Sequence, residues 1–144
     1  MKPSLKPGLT YTHRVTVTPE LTVPALLPQS AEFSAMPQVL ATGYMVGLFE
    51  WTCIELIKPH LDPGEGSLGT HVNFSHVAAT SPGFDVVIQA TLTAVEGRSL
   101  MFEVRGRDDW DLIGEGVHRR AVVSWDRFNG RVAEKAVRPR AHEG

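Results

Sequence analysis

Cysteine is all but absent from this chain. Of 144 residues only Cys53 carries a thiol, so no internal disulfide can form and nothing points to an oxidising compartment. An excess of either charge is also lacking. The 14 Lys and Arg against 16 Asp and Glu leave a formal net charge of −2, without the concentrated positive surplus of a nucleic-acid-binding domain. No apolar run approaches membrane-spanning length, and the opening Met1-Lys-Pro-Ser-Leu-Lys-Pro-Gly8 lacks the greasy core of a signal peptide. A soluble cytoplasmic protein with no nucleic-acid and no membrane partner is therefore expected. The six histidines show no metal-ligand spacing, since His71 and His76, five apart in a strand, point to opposite faces. The glycines fall at turns and form no phosphate loop. No metal is expected. The length suits one domain over 1–144 with one substantial core.

What is present is organised around Leu40 to Lys58, a stretch closed by Pro59. It predicts a helix of about five turns, roughly 27 Å long at 1.5 Å per residue. Its apolar residues, among them Met45, Leu48, Phe49, Trp51, Cys53, Ile54 and Ile57, go all round the cylinder. Such a helix is expected to be wrapped on every side. Glu50 sits within it, with Val46, Gly47, Cys53 and Ile54 as its neighbours three and four residues away, so no cation on its own helix can pair with it. It is either a partly exposed helical glutamate or a carboxylate kept in an apolar site for chemistry, which is costly unless a distant group bonds it. Glu55, with Lys58 three residues on, reads as a solvated pair.

Before the helix, Tyr11, His13, Val15 and Val17 alternate with Thr12, Arg14 and Thr16, the pattern of a half-buried strand. Residues 20–39 carry Pro24, Pro28 and Pro37 among Leu26, Leu27, Phe33 and Met36; this segment is either a flap over a pocket or a packed connection. After the helix, Leu61 to Gly69 is turn chemistry. A strand then places Val72, Phe74, His76 and Ala78 on the face toward the helix. A histidine there is either a satisfied core residue or a catalyst with a carboxylate near, for which Glu50 is the candidate. Phe84 to Val95 alternates again, Glu96-Gly97-Arg98 turns a hairpin, and Leu100, Phe102 and Val104 face inward. A last strand is predicted from about Leu112 to Phe128, with Gly114 and Gly116 marking a bulge or close approach and the facing of Arg119 and Arg120 left open. The tail, 130–144, is a short basic helix or disordered.

One strand, a flap, a buried helix and four more strands predict an α+β chain in which a five-stranded antiparallel sheet wraps one long helix, the hot dog architecture. Exposed strand edges predict pairing of two subunits. Thr42, Glu50 and His76 supply a hydroxyl, a carboxylate and an imidazole, the parts required for acyl transfer. Thr42 is equally a candidate N-cap. Thr42 and Glu50 lie about 12 Å apart along a straight helix, so a second subunit or a loop must close the distance if all three act together.

The runs Ala41-Thr-Gly-Tyr-Met-Val-Gly-Leu-Phe-Glu-Trp51, Leu61-Asp-Pro-Gly-Glu-Gly-Ser-Leu-Gly-Thr70, His76-Val-Ala-Ala-Thr80, Val95-Glu-Gly-Arg98, Ile113-Gly-Glu-Gly-Val-His-Arg-Arg-Ala121 and Arg127-Phe-Asn129 span nearly the whole chain. In them the sequence resembles the hot dog thioesterases, and among these the fluoroacetyl-CoA thioesterase family. The resemblance implies an acyl-CoA substrate, with coenzyme A part of that substrate and no separate cofactor. It places the family's catalytic residues on Thr42, Glu50 and His76 and its substrate-contacting residues on Gly69 and Arg120. It implies a homodimer and a lid whose pair of phenylalanines is here Phe33 and Met36. Methionine fills space differently from an aromatic ring, so the resemblance is weakest where fluorine selectivity would be set. Arg98, Arg105, Arg107 and Lys58 are available for the phosphates. A hydratase or dehydratase acting on an acyl thioester, and a non-catalytic acyl-CoA binder, are the alternatives.

Overall fold

A computed structural model describes residues 1–141. Its sheet is built from β1 (Thr10–Thr16), β2 (Glu65–His76), β3 (Asp85–Glu96), β4 (Ser99–Arg107) and β5 (Leu112–Ser124), every pair antiparallel, in the order β1-β3-β4-β5-β2. The central helix α3 (Thr42–Ile57) lies across one face, and two one-turn helices, α1 (Val23–Leu26) and α2 (Ala31–Ser34), precede it. This is the expected hot dog arrangement.

Strand alternation holds where the sequence is clean. Val86, Ile88, Ala90 and Leu92 of β3 and Leu100, Phe102 and Val104 of β4 are buried beneath the helix. The Gly97-Arg98 turn joins those strands, with Glu96 opposite Ser99 and Gly97 at φ +61°, a conformation that favours glycine. At Gly114 the close approach is real: a Cβ there would stand 2.4 Å from the Ser75 carbonyl oxygen and 2.8 Å from Met45 Sδ. Helix and β5 therefore meet at van der Waals distance at the level of His76, which is paired with Gly114.

The helix departs from expectation. Met45, Leu48, Phe49, Thr52, Cys53, Leu56 and Ile57 form one buried stripe at three- and four-residue spacing, whereas Trp51 and Ile54 on the opposite side are exposed. The sheet covers one face only, and Trp51 and Ile54 of the other face are left open.

Two strand boundaries also move. The turn residues before Gly69 give way to β2 already at Glu65, and a bulge between Gly69 and His71 shifts its register against β5. The strand predicted to reach Phe128 stops at Ser124, and α4 (Trp125–Val137) takes over, so much of the tail is helical. The change is fixed by docking: the Trp125 N–H donates to the Gly64 carbonyl at 3.0 Å, and its ring covers Gly66 where a Cβ would stand 2.0 Å from it. Residues 142–144 of the predicted tail lie outside the described residues.

The topology leaves β2 at one edge of the sheet, its far side unpaired. Among the described residues no helix is long and apolar enough to cross a membrane.

Candidate active site

Five of the residues singled out above fall into two separate groups along β2, one at Gly69 and one at His76. The first gathers at the start of α3. Ala41, not Thr42, occupies the N-cap, so the threonine hydroxyl is free of that role. Instead Thr42 Oγ1 lies 2.8 Å from His76 Nδ1. The other ring nitrogen, His76 Nε2, is buried with no hydrogen-bond partner. Burial holds this imidazole below its ordinary value of 6.5, against an opposing interaction with the Ala78 backbone, and so favours a neutral ring able to take a proton. The pair lines an open pocket of about 320 Å³ together with Val23, Val39, Leu40 and Ala78. The start of the 20–39 segment thus forms one wall, held down where Leu26 packs 3.0 Å from the Cβ position of Gly43.

The second group centres on Arg120, 3% exposed, which answers the open question of β5 facing. Its Nη1 donates to Glu50 Oε2 at 2.8 Å, Nε to Ser67 Oγ at 2.8 Å, and Nη2 to the Ser67 carbonyl at 3.0 Å. Glu50 therefore has a counter-charge, brought from β5 and not from its own helix. Gly69 is what admits the carboxylate, since a Cβ there would stand 2.6 Å from Glu50 Oε2 and 3.4 Å from Arg120 Nη1. The glutamate side chain keeps 34% of its surface open, facing outward beside the exposed Trp51.

A further residue belongs here that sequence reasoning passed over. His118 is fully buried two residues before Arg120 and shares its face of β5. Its Nδ1 lies 2.7 Å from the His71 carbonyl oxygen, which can only accept, so the ring proton sits on Nδ1. That leaves the Nε2 lone pair toward Arg120 Nη1 at 3.1 Å, with Glu50 Oε2 at 3.9 Å. Burial lowers the His118 pKa below 6.5, and the Arg120 cation adds to this against the His71 bond and Glu50. The only sequence signal was the two-residue spacing of His118 and Arg120, which the flanking glycines made impossible to phase.

The two groups do not meet within one chain. Gly69 and His76 are seven positions apart on β2, about 23 Å at 3.3 Å per residue. Glu50, expected beside His76, is beside Arg120, because eight residues of straight helix separate it from Thr42. Phe33, half-buried, and Met36, 44% exposed, lie outside the wall of the Thr42–His76 pocket. Cys53 is no nucleophile candidate, as burial pushes its thiol up to about 12.

The network fixes a pH response. Unfolded, His118 titrates near 6.5; folded, it does so lower, so the unfolded chain binds more protons as pH falls past 6.5. Stability is full above that value and is lost below it as the folded ring is forced to charge beside Arg120. The half-buried His76 adds a response of the same sign. His118→Asn, which retains a donor for the His71 carbonyl and cannot titrate, is expected to flatten the acid-side loss in denaturant unfolding while lowering the unfolding free energy above pH 6.5 by about 1–3 kcal/mol through the acceptor lost to Arg120. An acid limb as steep as that of the wild type would assign the response elsewhere.

Similarity to known proteins follows the same lines. The family profile described as fluoroacetyl-CoA-specific thioesterase matches residues 17–126. The fluoroacetyl-CoA thioesterase of Streptantibioticus cattleyicolor is 47% identical over 135 residues, which cover 94% of this chain and 97% of that protein. A solved structure of the fluoroacetyl-CoA thioesterase FlK superposes with a TM-score of 0.89 at 47% identity, covering 92% of this chain and 98% of the other. A thioesterase superfamily member of Thermus thermophilus superposes at 0.82 with 28% identity over 94% and 98%. With a profile spanning most of the chain and near-complete overlap at this identity, the chain belongs to the fluoroacetyl-CoA-specific thioesterase family.

Proposed function

We propose that the protein is an acyl-CoA thioesterase that hydrolyses a short-chain acyl-CoA, fluoroacetyl-CoA among the candidates, to the free acid and coenzyme A. The observation that carries the reading is the 2.8 Å contact between Thr42 Oγ1 and His76 Nδ1 at the wall of a small open pocket. In this reading residues 1–144 work as one thioesterase domain, with 20–39 as its lid and 130–144 as its tail. Coenzyme A is part of the substrate and no cofactor is required. A cytoplasmic setting, where the lone thiol stays reduced, belongs to the same proposal.

The chemistry divides among the named groups. Water adds to the thioester carbonyl, the C–S bond breaks, and the proton lost by water reaches the departing thiolate or solvent. Glu50 either adds to the carbonyl itself or draws the proton from the attacking water. His76, neutral through burial, moves protons to and from Thr42 and the leaving sulfur. Backbone N–H groups at the start of α3 or near Gly69 hold the developing oxyanion. Arg120, bonded to one carboxylate oxygen, holds Glu50 in position.

Those roles need both half-sites in one place, and a homodimer built on the free edge of β2 supplies it. A two-fold axis crossing β2 between Val72 and Asn73 sets Gly69 of one subunit opposite the partner's His76. Glu50 of one chain would then face the Thr42–His76 pair of the other. In support, the surfaces that such pairing would cover are apolar and bare: Val72 and Val77 beside the edge, Trp51 and Ile54 on the helix. The lid residues Phe33 and Met36 would close over the shared site, with Met36 where the family has phenylalanine.

Three outcomes are expected. Glu50→Gln, nearly isosteric, should lower turnover by about 10²–10⁴-fold when free thiol is followed from acetyl, fluoroacetyl and crotonyl thioesters; unchanged turnover would make Glu50 structural, and loss of the crotonyl double bond without thiol release would mark a hydratase. Val72→Lys, placing a charge on the free edge, should shift sedimentation from dimer to monomer and abolish turnover at the same time. Met36→Phe should raise the fluoroacetyl over acetyl preference in kcat/KM, and a flat ratio would remove the lid from the account of selectivity.

A further inference from the structure

We propose that His118 is a positioning residue of the hydrolytic site: its Nε2 lone pair takes one hydrogen of Arg120 Nη1, so that the other is aimed at the Glu50 carboxylate. The inference rests on the thioesterase reading and deepens it by naming the buried group that sets where the carboxylate stands.

The argument starts from the donors of a guanidinium, which form a rigid planar fork. In Arg120 the Nε and Nη2 donors go to the hydroxyl and carbonyl of Ser67, which hold the fork from behind. Nη1 is the corner turned toward the reacting group. One of its hydrogens goes to Glu50 Oε2 at 2.8 Å and the other to His118 Nε2 at 3.1 Å. Because the fork is planar, fixing the direction of one fixes that of the other. The carboxylate is held through Oε2 while 34% of the glutamate side chain stays open. Oε1 is thereby left to meet a thioester carbonyl or an attacking water.

His118 is built as a rigid acceptor. Its ring is fully buried, with the Phe74 and Phe102 rings at centroid distances of 5.8 and 6.3 Å, and its Nδ1–H is tied to the His71 carbonyl at 2.7 Å. A ring packed and tied in this way presents Nε2 in one direction. An apolar side chain would fill the same space with no polar atom to satisfy, whereas Nε2 meets its hydrogen-bond donor in Arg120.

Protonation would undo the arrangement. A charged ring turns Nε2 from acceptor to donor, sets N–H against N–H at Nη1, and draws Glu50 Oε2, 3.9 Å away, off Arg120. The charged and titratable groups around the ring are Arg120 on β5, the His71 imidazole on β2, and on α3 Glu50 with the Cys53 thiol, which feels the same two charges and stays protonated; β4 faces it with Phe102. Burial, Arg120 and the His71 ring oppose the charged form against the His71 carbonyl and Glu50, so above pH 6.5 the ring is neutral and accepting.

The test uses the different reach of two amides. His118→Asn keeps a donor for the His71 carbonyl and loses the acceptor for Arg120. His118→Gln, one bond longer, brings an amide oxygen to the Nε2 position and gives up the His71 bond. With acetyl-CoA as substrate and free thiol followed, His118→Asn should lower kcat by about 10–10²-fold with a smaller change in KM, and His118→Gln should recover most of that loss. Wild-type kcat in His118→Asn, or a folded His118→Gln no faster than His118→Asn, overturns the proposal. The acid limb of kcat, which His76 also shapes, should be shallower in His118→Gln than in the wild type, and an identical limb counts against it equally. Isotope-edited NMR of the wild type tests the position without substitution or turnover. Above pH 6.5 the hydrogens of Arg120 Nη1 should give separate signals, because bonds to Glu50 and His118 stop rotation about Cζ–Nη1, and the signals should merge as His118 charges. One averaged signal throughout overturns the proposal. Wild-type protein that releases no thiol from an acyl-CoA would defeat the thioesterase reading and leave the NMR result to decide whether His118 positions Glu50.

Discussion

A guanidinium almost wholly withdrawn from water is tolerable only if its charge is opposed and most of its donors are met. Arg120 satisfies that condition through Glu50, the hydroxyl and carbonyl of Ser67, and the lone pair of His118. Much else follows from it. Glu50 must turn toward β2, which is why position 69 cannot carry a side chain. His118 must hold its proton on Nδ1, which is why the His71 carbonyl faces it. The carboxylate is thereby fixed at one level of the edge strand while the Thr42–His76 pair is fixed at another.

That separation gives the fold its unfinished look. Within one chain the imidazole and the carboxylate stand at separate levels of β2, seven residues apart, and the face of α3 that carries Glu50 also carries exposed Trp51 and Ile54. An unpaired strand edge and an apolar helix face on the same side are costly to leave in water. One association about a two-fold axis would remove both costs and unite the two half-sites. Stability of the pair and competence of the site would then be a single requirement in this reading.

How much was legible depended on whether a residue's role is local. The strands β1, β3 and β4 could be read because period-two alternation is imposed by one buried face, and the turn at Gly97 because its backbone sign nearly demands glycine. The helix was located correctly but judged surrounded, since Trp51 and Ile54 carry apolar character onto its outer face and composition cannot say whether such residues are covered. Trp125 was read into a strand because nothing near it in sequence shows that its ring will settle on Gly66. His118 went unnoticed because two glycines left the phase of β5 undetermined until pairing with β2 set it.

By itself the sequence determined the α+β class, the long central helix, the alternating strands and, through the long runs it shares with a thioesterase family, the residues to watch. These are properties of spacing and local propensity, written into neighbouring positions. Only the tertiary structure decided which partner each watched residue takes: Thr42 with His76, Glu50 with Arg120, and His118 between Arg120 and the His71 carbonyl. Such pairings join positions up to 70 apart in the chain, and they are fixed by strand order, a bulge at Gly69 and the curl of the sheet over the helix. No local pattern encodes those distances, because they exist only once the strands have chosen their neighbours.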